Sequence, residues 1–300
     1  MKKVLGLLAL AGAATVANAQ WTNATLTDGN AYFRVTNGSM PTSITAGASG
    51  FTADFRTSGG TAATGTDHTF SHWWWVRGGT DTREYALALP STAQQNAAVK
   101  TTTGTNEVSW SNLNPLSAGQ LSNVRFTLTY KVVDLDGPTG NLQAQVVSVL
   151  RATNIGSTTA TGVSVFNYVD YFFTGEDSGD VVPAGDAGID GSGNRFIKVS
   201  DPSDTGGFGS MYHQGVGASG YGVGAFSAVG GQVGDTSIDN FNDFNSATAA
   251  GDQSGVMQWN FGDLAPGASA EAISVVTIPT PGALALVGMG GLIAARRRRA

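Results

Sequence analysis

The chain has 300 residues, with 16 Lys and Arg against 22 Asp and Glu, 42 glycines and no cysteine. A net charge of −6 excludes a nucleic-acid binder built on a basic footprint. The missing cysteine excludes a thiol nucleophile, thiolate metal sites, iron–sulfur clusters and disulfide staples, none of which a chain of this length needs to build a core.

Residues 1–19 carry the three parts of a secretory signal peptide: Lys2 and Lys3, an apolar run from Val4 to Val16, and Ala17-Asn18-Ala19 ahead of Gln20. The run is short for a membrane span. The expectation is export through the Sec translocon and cleavage by signal peptidase after Ala19.

From 20 to 278 the pattern is one of alternation and turns. Period-two segments fall at 31–36, 51–57, 68–77, 82–89, 106–113, 124–135, 142–154, 161–173, 195–201, 221–229, 255–264 and 270–278. No window of the body sustains a helical period; 236–244 has room for one helical turn. Asn154, Gly156 and Ser157 punctuate one pair of long strands, and Ala265-Pro266-Gly267 suits a type II turn between the last two, so both pairs read as hairpins. Strands without helical crossovers cannot form a parallel sheet. The fold class expected is therefore all-β: a large antiparallel two-sheet β-sandwich over 20–278, flanked by an N-terminal signal-peptide helix and a short C-terminal apolar helix. Two smaller β domains, divided near the Gly- and Asp-rich stretch 175–194, are the alternative.

Residues 279–300 form a distinct tail. Pro279-Thr280-Pro281 stops a helix from running backwards, an apolar run extends from Gly282 to Ala295, and Arg296, Arg297, Arg298 and Arg299 follow. The run reaches roughly 21 Å as a helix, against about 30 Å of hydrocarbon, and the arginines hold it on the cytoplasmic side. Removing both ends takes six basic residues and no acid, leaving 10 basic against 22 acidic in the body. The order of proline motif, apolar run and arginine cluster resembles the PEP-CTERM sorting tail of exported bacterial proteins, with Thr280 where that family's namesake glutamate stands. The resemblance implies a membrane-embedded exosortase-type processing enzyme as partner and a destination in the cell envelope or exopolysaccharide matrix, with transient anchoring in the inner membrane. The passages 151–168 and 259–278 are similar to strand–turn–strand passages of bacterial surface β-sandwich domains.

Several residue sets bear on chemistry. On a strand, Trp73 and Trp75 face one way while His72, Trp74 and Val76 face the other. Such a triplet fills a core or, with Tyr85 and Trp110, offers an aromatic platform for a glycan. Glu176, Asp177, Asp180, Asp186 and Asp190 lie in a glycine-rich loop, and Asp134 and Asp136 in DLDG. Calcium is the cofactor such acids would take, with Asp186 and Asp190 as the candidates, although a solvated acidic loop is the better reading of them. DLDGPTGNL has Pro138 at its fifth position and no twelfth-position glutamate, so it is no EF-hand. His68 and His72 stand about 13 Å apart on a strand, too far to share an ion, and His213 is remote in sequence. The glycine-rich run 213–226 lacks the lysine of a phosphate loop and reads as edge strand or loop.

These features favour a non-enzymatic exported surface or matrix protein. A carbohydrate-binding module using Trp73, Trp74 and Trp75 is the second reading. A polysaccharide-active enzyme with acids such as Asp170 and Glu176 is the third.

Overall fold

The computed structural model describes residues 24–37, 51–57, 66–87, 99–113, 120–135, 143–172, 179–202, 210–247 and 249–278. The signal peptide, the sorting motif Pro279 to Pro281, Arg296 to Arg299, and the acids Asp136, Glu176 and Asp177 lie outside them.

The strands, in chain order, begin with β1 (Ala24–Asp28), β2 (Ala31–Asn37), β3 (Phe51–Thr57), β4 (Thr66–Asp67), β5 (Thr69–Arg77) and β6 (Tyr85–Ala86). There follow β7 (Val99–Thr103), β8 (Glu107–Leu113), β9 (Val124–Asp134), β10 (Ala144–Asn154), β11 (Ala160–Tyr171) and β12 (Ala187–Ile189). The last among the described residues are β13 (Arg195–Val199), β14 (Met211–Val216), β15 (Gly220–Ala225), β16 (Phe244–Asn245), β17 (Gln253–Leu264) and β18 (Ser269–Ile278), with an α-helix, α1 (Phe226–Gly234), between β15 and β16.

They make a large β-sandwich. An eight-stranded sheet in the order β12-β13-β14-β18-β10-β9-β8-β7 lies against a six-stranded sheet, β16-β15-β17-β11-β5-β6. A four-stranded sheet, β1-β2-β3-β4, runs directly into β5 and packs on β9. Every pairing is antiparallel except the short β15–β16 contact. Strands from both sides of 175–194 are neighbours in both large sheets, β18 beside β10 and β17 beside β11, so a cut in that stretch would divide each sheet.

Burial follows the residue pattern. Along β9 the side chains of Val124, Phe126, Leu128, Tyr130 and Val132 are buried, and those between them are partly open or exposed, as one covered face requires. Strand β11 has no such alternation: Val163 to Tyr171 is buried throughout. One of its faces meets the eight-stranded sheet, and the other lies under α1 and the segment 235–243.

Three expectations from the sequence are corrected. The two long-strand connections are not hairpins. Strands β10 and β18 belong to the eight-stranded sheet and β11 and β17 to the other, so 155–159 and 265–268 are corners carrying the chain between sheets. The Pro266-Gly267 turn itself forms, with the Ala268 amide bonding the Ala265 carbonyl at 2.9 Å and Gly267 at φ 77. Second, of the stretch 82–89 the described residues, 82–87, form strand only over Tyr85–Ala86. Third, the segment 221–229 is strand only to Ala225, and α1 follows, while 236–244 is loop ending in β16. Phe226, Val229 and Val233 have helical spacing, and burial of Val229 and Val233 on the sheet decides the outcome.

Candidate functional site

Strand β5 is placed by its register. Trp73, Trp74 and Trp75 pair with Tyr168, Asn167 and Phe166 of β11, and directly opposed residues share a face. Trp74 thus turns inward with His72 and Val76, its ring 5.3 Å from that of Trp259. Trp73 and Trp75 turn to the opposite face of the strand, where Trp73 Nε1–H donates to the Leu87 carbonyl at 3.0 Å and Trp75 meets Tyr168 edge-on at 5.6 Å. The relative exposures of the three are 0%, 0% and 5%, and that of Trp110 is 1%. These indoles present no open face for a sugar ring, so the aromatic platform expected from Trp73, Trp74 and Trp75 is core packing instead. Tyr85 stays half-buried, with the Arg83 guanidinium 4.9 Å above its ring.

A buried polar band crosses between the sheets. Register puts Ser148 of β10 opposite Tyr130 of β9 and Ser274 of β18, while His213 of β14 pairs with Val276, two residues further along β18. From the other sheet His72 Nε2 comes within 3.3 Å of Ser148 Oγ. Asn167 Oδ1 accepts from Ser274 Oγ at 2.6 Å and lies 3.1 Å from His213 Nε2, and Tyr171 OH lies 3.1 Å from His213 Nδ1. This arrangement assigns the proton of His213 to Nε2, which donates to Asn167, leaving Nδ1 to accept from Tyr171. Asn167 Nδ2 then donates to the Trp73 carbonyl at 3.1 Å, and the Tyr130 hydroxyl to the His72 carbonyl at 2.9 Å.

A serine, a histidine and an orienting amide are the ingredients of a nucleophile and its base, but Ser274, His213 and Asn167 are all fully buried. Their bonds join the two sheets. Burial pulls His72 down to about 3 and His213 well below its ordinary range, the neighbouring His72 adding to the second effect. His68 falls to about 3 through burial and the nearby Arg56 charge. The folded protein holds all three as neutral imidazoles near neutral pH. The nearness of His72 to His213 leaves no signal in the sequence, because it arises only when the two sheets stack.

Carboxyl groups gather around Arg77 at the end of β5. Its Nη1 contacts Glu84 Oε1 and donates to the Asp239 carbonyl at 2.7 Å, while Nη2 donates to Asn240 Oδ1 at 2.8 Å. The guanidinium lies 5.2 Å from the centre of the Phe166 ring. The Asp239 amide donates to Glu84 Oε1 at 3.2 Å, the Gly78 amide to Asp81 Oδ2 at 2.6 Å, and the Phe241 amide to Gln258 Oε1 at 2.7 Å. Burial pushes Glu84 up to about 7 against the opposing pull of Arg77 and the Asp239 amide. Asp81 is raised by burial, and Asp239 by burial and by Asp235. Glycoside hydrolysis needs two carboxyls facing one another across an open gap of about 5 to 9.5 Å. The Glu84 side chain has no exposure, and its bonds tie the 235–243 crossing to β5.

The calcium candidates have other partners. Asp186 Oδ2 pairs with Lys198 Nζ at 3.0 Å. Asp190 Oδ1 accepts the Ser192 and Asn194 amides at 2.8 and 2.9 Å, and Oδ2 accepts Gln214 Nε2 at 2.6 Å. Burial alone would raise Asp190, but the donors from Asn194, Ser192 and Gln214 hold it below its ordinary value. It closes the β12–β13 turn. Asp170 and Asp180 are buried.

No protein-family model and no curated protein matches the chain. Among solved structures, the chain is similar to a bacterial glucoamylase complexed with acarbose, at 9% identity and a TM-score of 0.42, covering 87% of this chain and 34% of that one. It is also similar to a polysaccharide lyase, at 12% identity and a TM-score of 0.33, covering 81% of this chain and 32% of that one. The chain spans about a third of the length of each of these two proteins.

Proposed function

We propose that this is an exported protein of the cell surface or extracellular matrix whose β-sandwich serves as a stable body rather than a catalyst. Its signal peptide directs it through the Sec translocon, and its 279–300 tail sorts it through an exosortase-type enzyme into the envelope or its exopolysaccharide. One observation supports the non-catalytic part: the tryptophan triplet, the three histidines and Asp190, the side chains with most chemical promise in the sequence, are all engaged in holding the fold. Sorting is supported by the order of Pro279-Thr280-Pro281, apolar run and Arg296 to Arg299.

The test is intact-mass analysis of the protein recovered from envelope and medium of its native cell. The expected species starts at Gln20 and lacks Arg296 to Arg299. A mature chain ending at Ala300 would refute processing, and a chain found only in the cytoplasm would refute export.

A further inference from the structure

The face of the eight-stranded sheet turned away from the six-stranded one carries an inference that goes beyond export and sorting and does not depend on them. Along β13 and β14 the inward positions are Ile197, Val199, Met211 and His213, all fully buried, with His213 reaching Asn167 of the opposite sheet. Strand geometry therefore turns Phe196, Lys198, Tyr212 and Gln214 outward, and Phe196 and Tyr212 are each partly exposed. Register sets Phe196 opposite Gln214 and Lys198 opposite Tyr212, so the two rings are diagonal neighbours on adjacent strands. Their centroids are 6.4 Å apart and their planes are inclined by only 34°. Gly188, the partner of Phe196 on β12, brings no side chain beside that ring.

Polar groups lie on the same face. Thr277 of β18 pairs with Tyr212 on one side and with Gln145 of β10 on the other. Gln145 Nε2 donates to Thr277 Oγ1 at 2.9 Å, and Gln214 Nε2 donates to Asp190 Oδ2 at 2.6 Å. Each amide is thus fixed through its nitrogen and keeps its Oε1 as an acceptor, while Thr277 keeps its hydroxyl proton to donate. The charges on this face cancel in pairs: Lys198 with Asp186 at 3.0 Å, Lys131 with Glu107 at 3.8 Å and Arg151 with Glu271 at 3.9 Å. A shallow pair of rings beside fixed amides is chemistry suited to a sugar, whose C–H faces pack on the rings while its hydroxyls bond the amides. With every cation of these rungs already paired, an anionic chain gains nothing here and is repelled by the acidic body. The face therefore favours an uncharged ligand.

We propose that Phe196 and Tyr212 form the platform of a binding site for a neutral hexopyranose chain, with Gln145, Gln214 and Thr277 bonding its hydroxyls. The aromatic residues of this protein then divide their work by position: the tryptophans of β5 hold the fold, and the outward ring pair of β13 and β14 holds the ligand.

Isothermal titration of the protein purified from its native cell tests this, with cellohexaose, maltohexaose and mannohexaose as neutral chains and hexagalacturonate as an anionic one. Tyr212→Leu and Phe196→Leu keep apolar bulk but remove a flat ring, whereas Tyr212→Phe keeps the ring. The expected result is that at least one neutral chain binds, about tenfold more weakly in each leucine variant and within a few-fold of wild type in Tyr212→Phe. Shifts of the Phe196 and Tyr212 ring-proton resonances on adding that chain to the wild type give the same answer without a substitution, should a leucine variant fail to fold. No binding of any neutral chain at millimolar concentration, binding undiminished in both leucine variants, unmoved ring resonances, or a preference for hexagalacturonate each overturns the site. So does a wild-type dimer that binds no sugar and that Tyr212→Leu dissociates, because the face is then a contact between copies of the chain.

Discussion

Asn154 is a fully buried side chain with both of its polar atoms engaged where the chain changes sheets. Its Nδ2 donates to the Thr158 and Leu264 carbonyls, each at 2.8 Å, and its Oδ1 accepts the Gly156 amide at 2.9 Å. Its backbone bonds the other corner, the Asn154 amide to the Ala268 carbonyl at 3.0 Å and the Gly267 amide to the Asn154 carbonyl at 2.8 Å. One residue thus fastens the β10–β11 corner to the β17–β18 corner. Asn154→Ala leaves carbonyls and an amide without partners, a loss of about 2 to 4 kcal/mol that chemical denaturation will register as a lower midpoint at unchanged slope. The buried histidines give a pH dependence of definite sign. His68 and His72 fall from 6.5 to about 3 on folding, so their stabilising effect is complete above pH 6.5 and is lost as pH falls toward 3. Each contributes a slope of roughly 1.4 kcal/mol per pH unit in that window. Glu84 acts oppositely: raised from 4.5 to about 7, it favours the fold below pH 4.5 and costs stability as pH rises toward 7. Denaturation midpoints measured from pH 4 to 7 should climb, and should climb more steeply in Glu84→Gln.

At the scale of elements, α1 is a helix with little of its own to hold it. Ala225 provides no side-chain cap, and Gly230 and Gly231 interrupt it. The two glycines differ in what surrounds them. A Cβ at Gly231 would meet nothing within 4 Å, whereas one at Gly230 would stand 3.0 Å from the Tyr168 hydroxyl. Gly231→Ala should therefore stabilise the protein by about 0.5 to 1 kcal/mol, and Gly230→Ala by less or not at all, as paired thermal melts will show. The same glycines explain why α1 was not legible in the sequence, since Gly-Gly conceals the spacing of Phe226, Val229 and Val233. Strands such as β9 and β10 were legible because one of their faces is covered and alternation marks it. The MYHQGV run of β14 was not, although β14 lies between β13 and β18 within the eight-stranded sheet. Its glycine at 215 sits where a side chain would strike Ala218 and Met257, a packing demand that composition reports only as a breaker. The turn residues at Asn154 and Pro266 were legible as turns. Whether a turn closes a hairpin or crosses to the opposite sheet depends on strand neighbours distant in sequence, so that distinction was not. The orientation of the tryptophans across β5 followed from period two alone, but their burial depended on partners that strand register alone brings together: Leu87 at Trp73, Trp259 at Trp74 and Tyr168 at Trp75.

For the molecule as a whole, both large sheets interleave strands from either side of 175–194, and neither side owns a complete core. Unfolding should be a single transition by tryptophan fluorescence and far-ultraviolet dichroism alike. Two fragments divided after residue 178 should fail to fold apart and should recover the native dichroism only when mixed. Two separate transitions, or a fragment that melts cooperatively on its own, would contradict this. The place of β18 has a consequence for how the protein comes into being. It lies between β14 and β10, so until residue 278 is available the larger sheet exists only as two unjoined parts. A chain threaded from its N-terminus cannot close that sheet early, and most of its pairings join residues far apart in sequence, which makes closure slow. Under the export proposed above, strand order alone defers folding to the end of delivery, and the chain stays threadable for as long as it still has to be threaded.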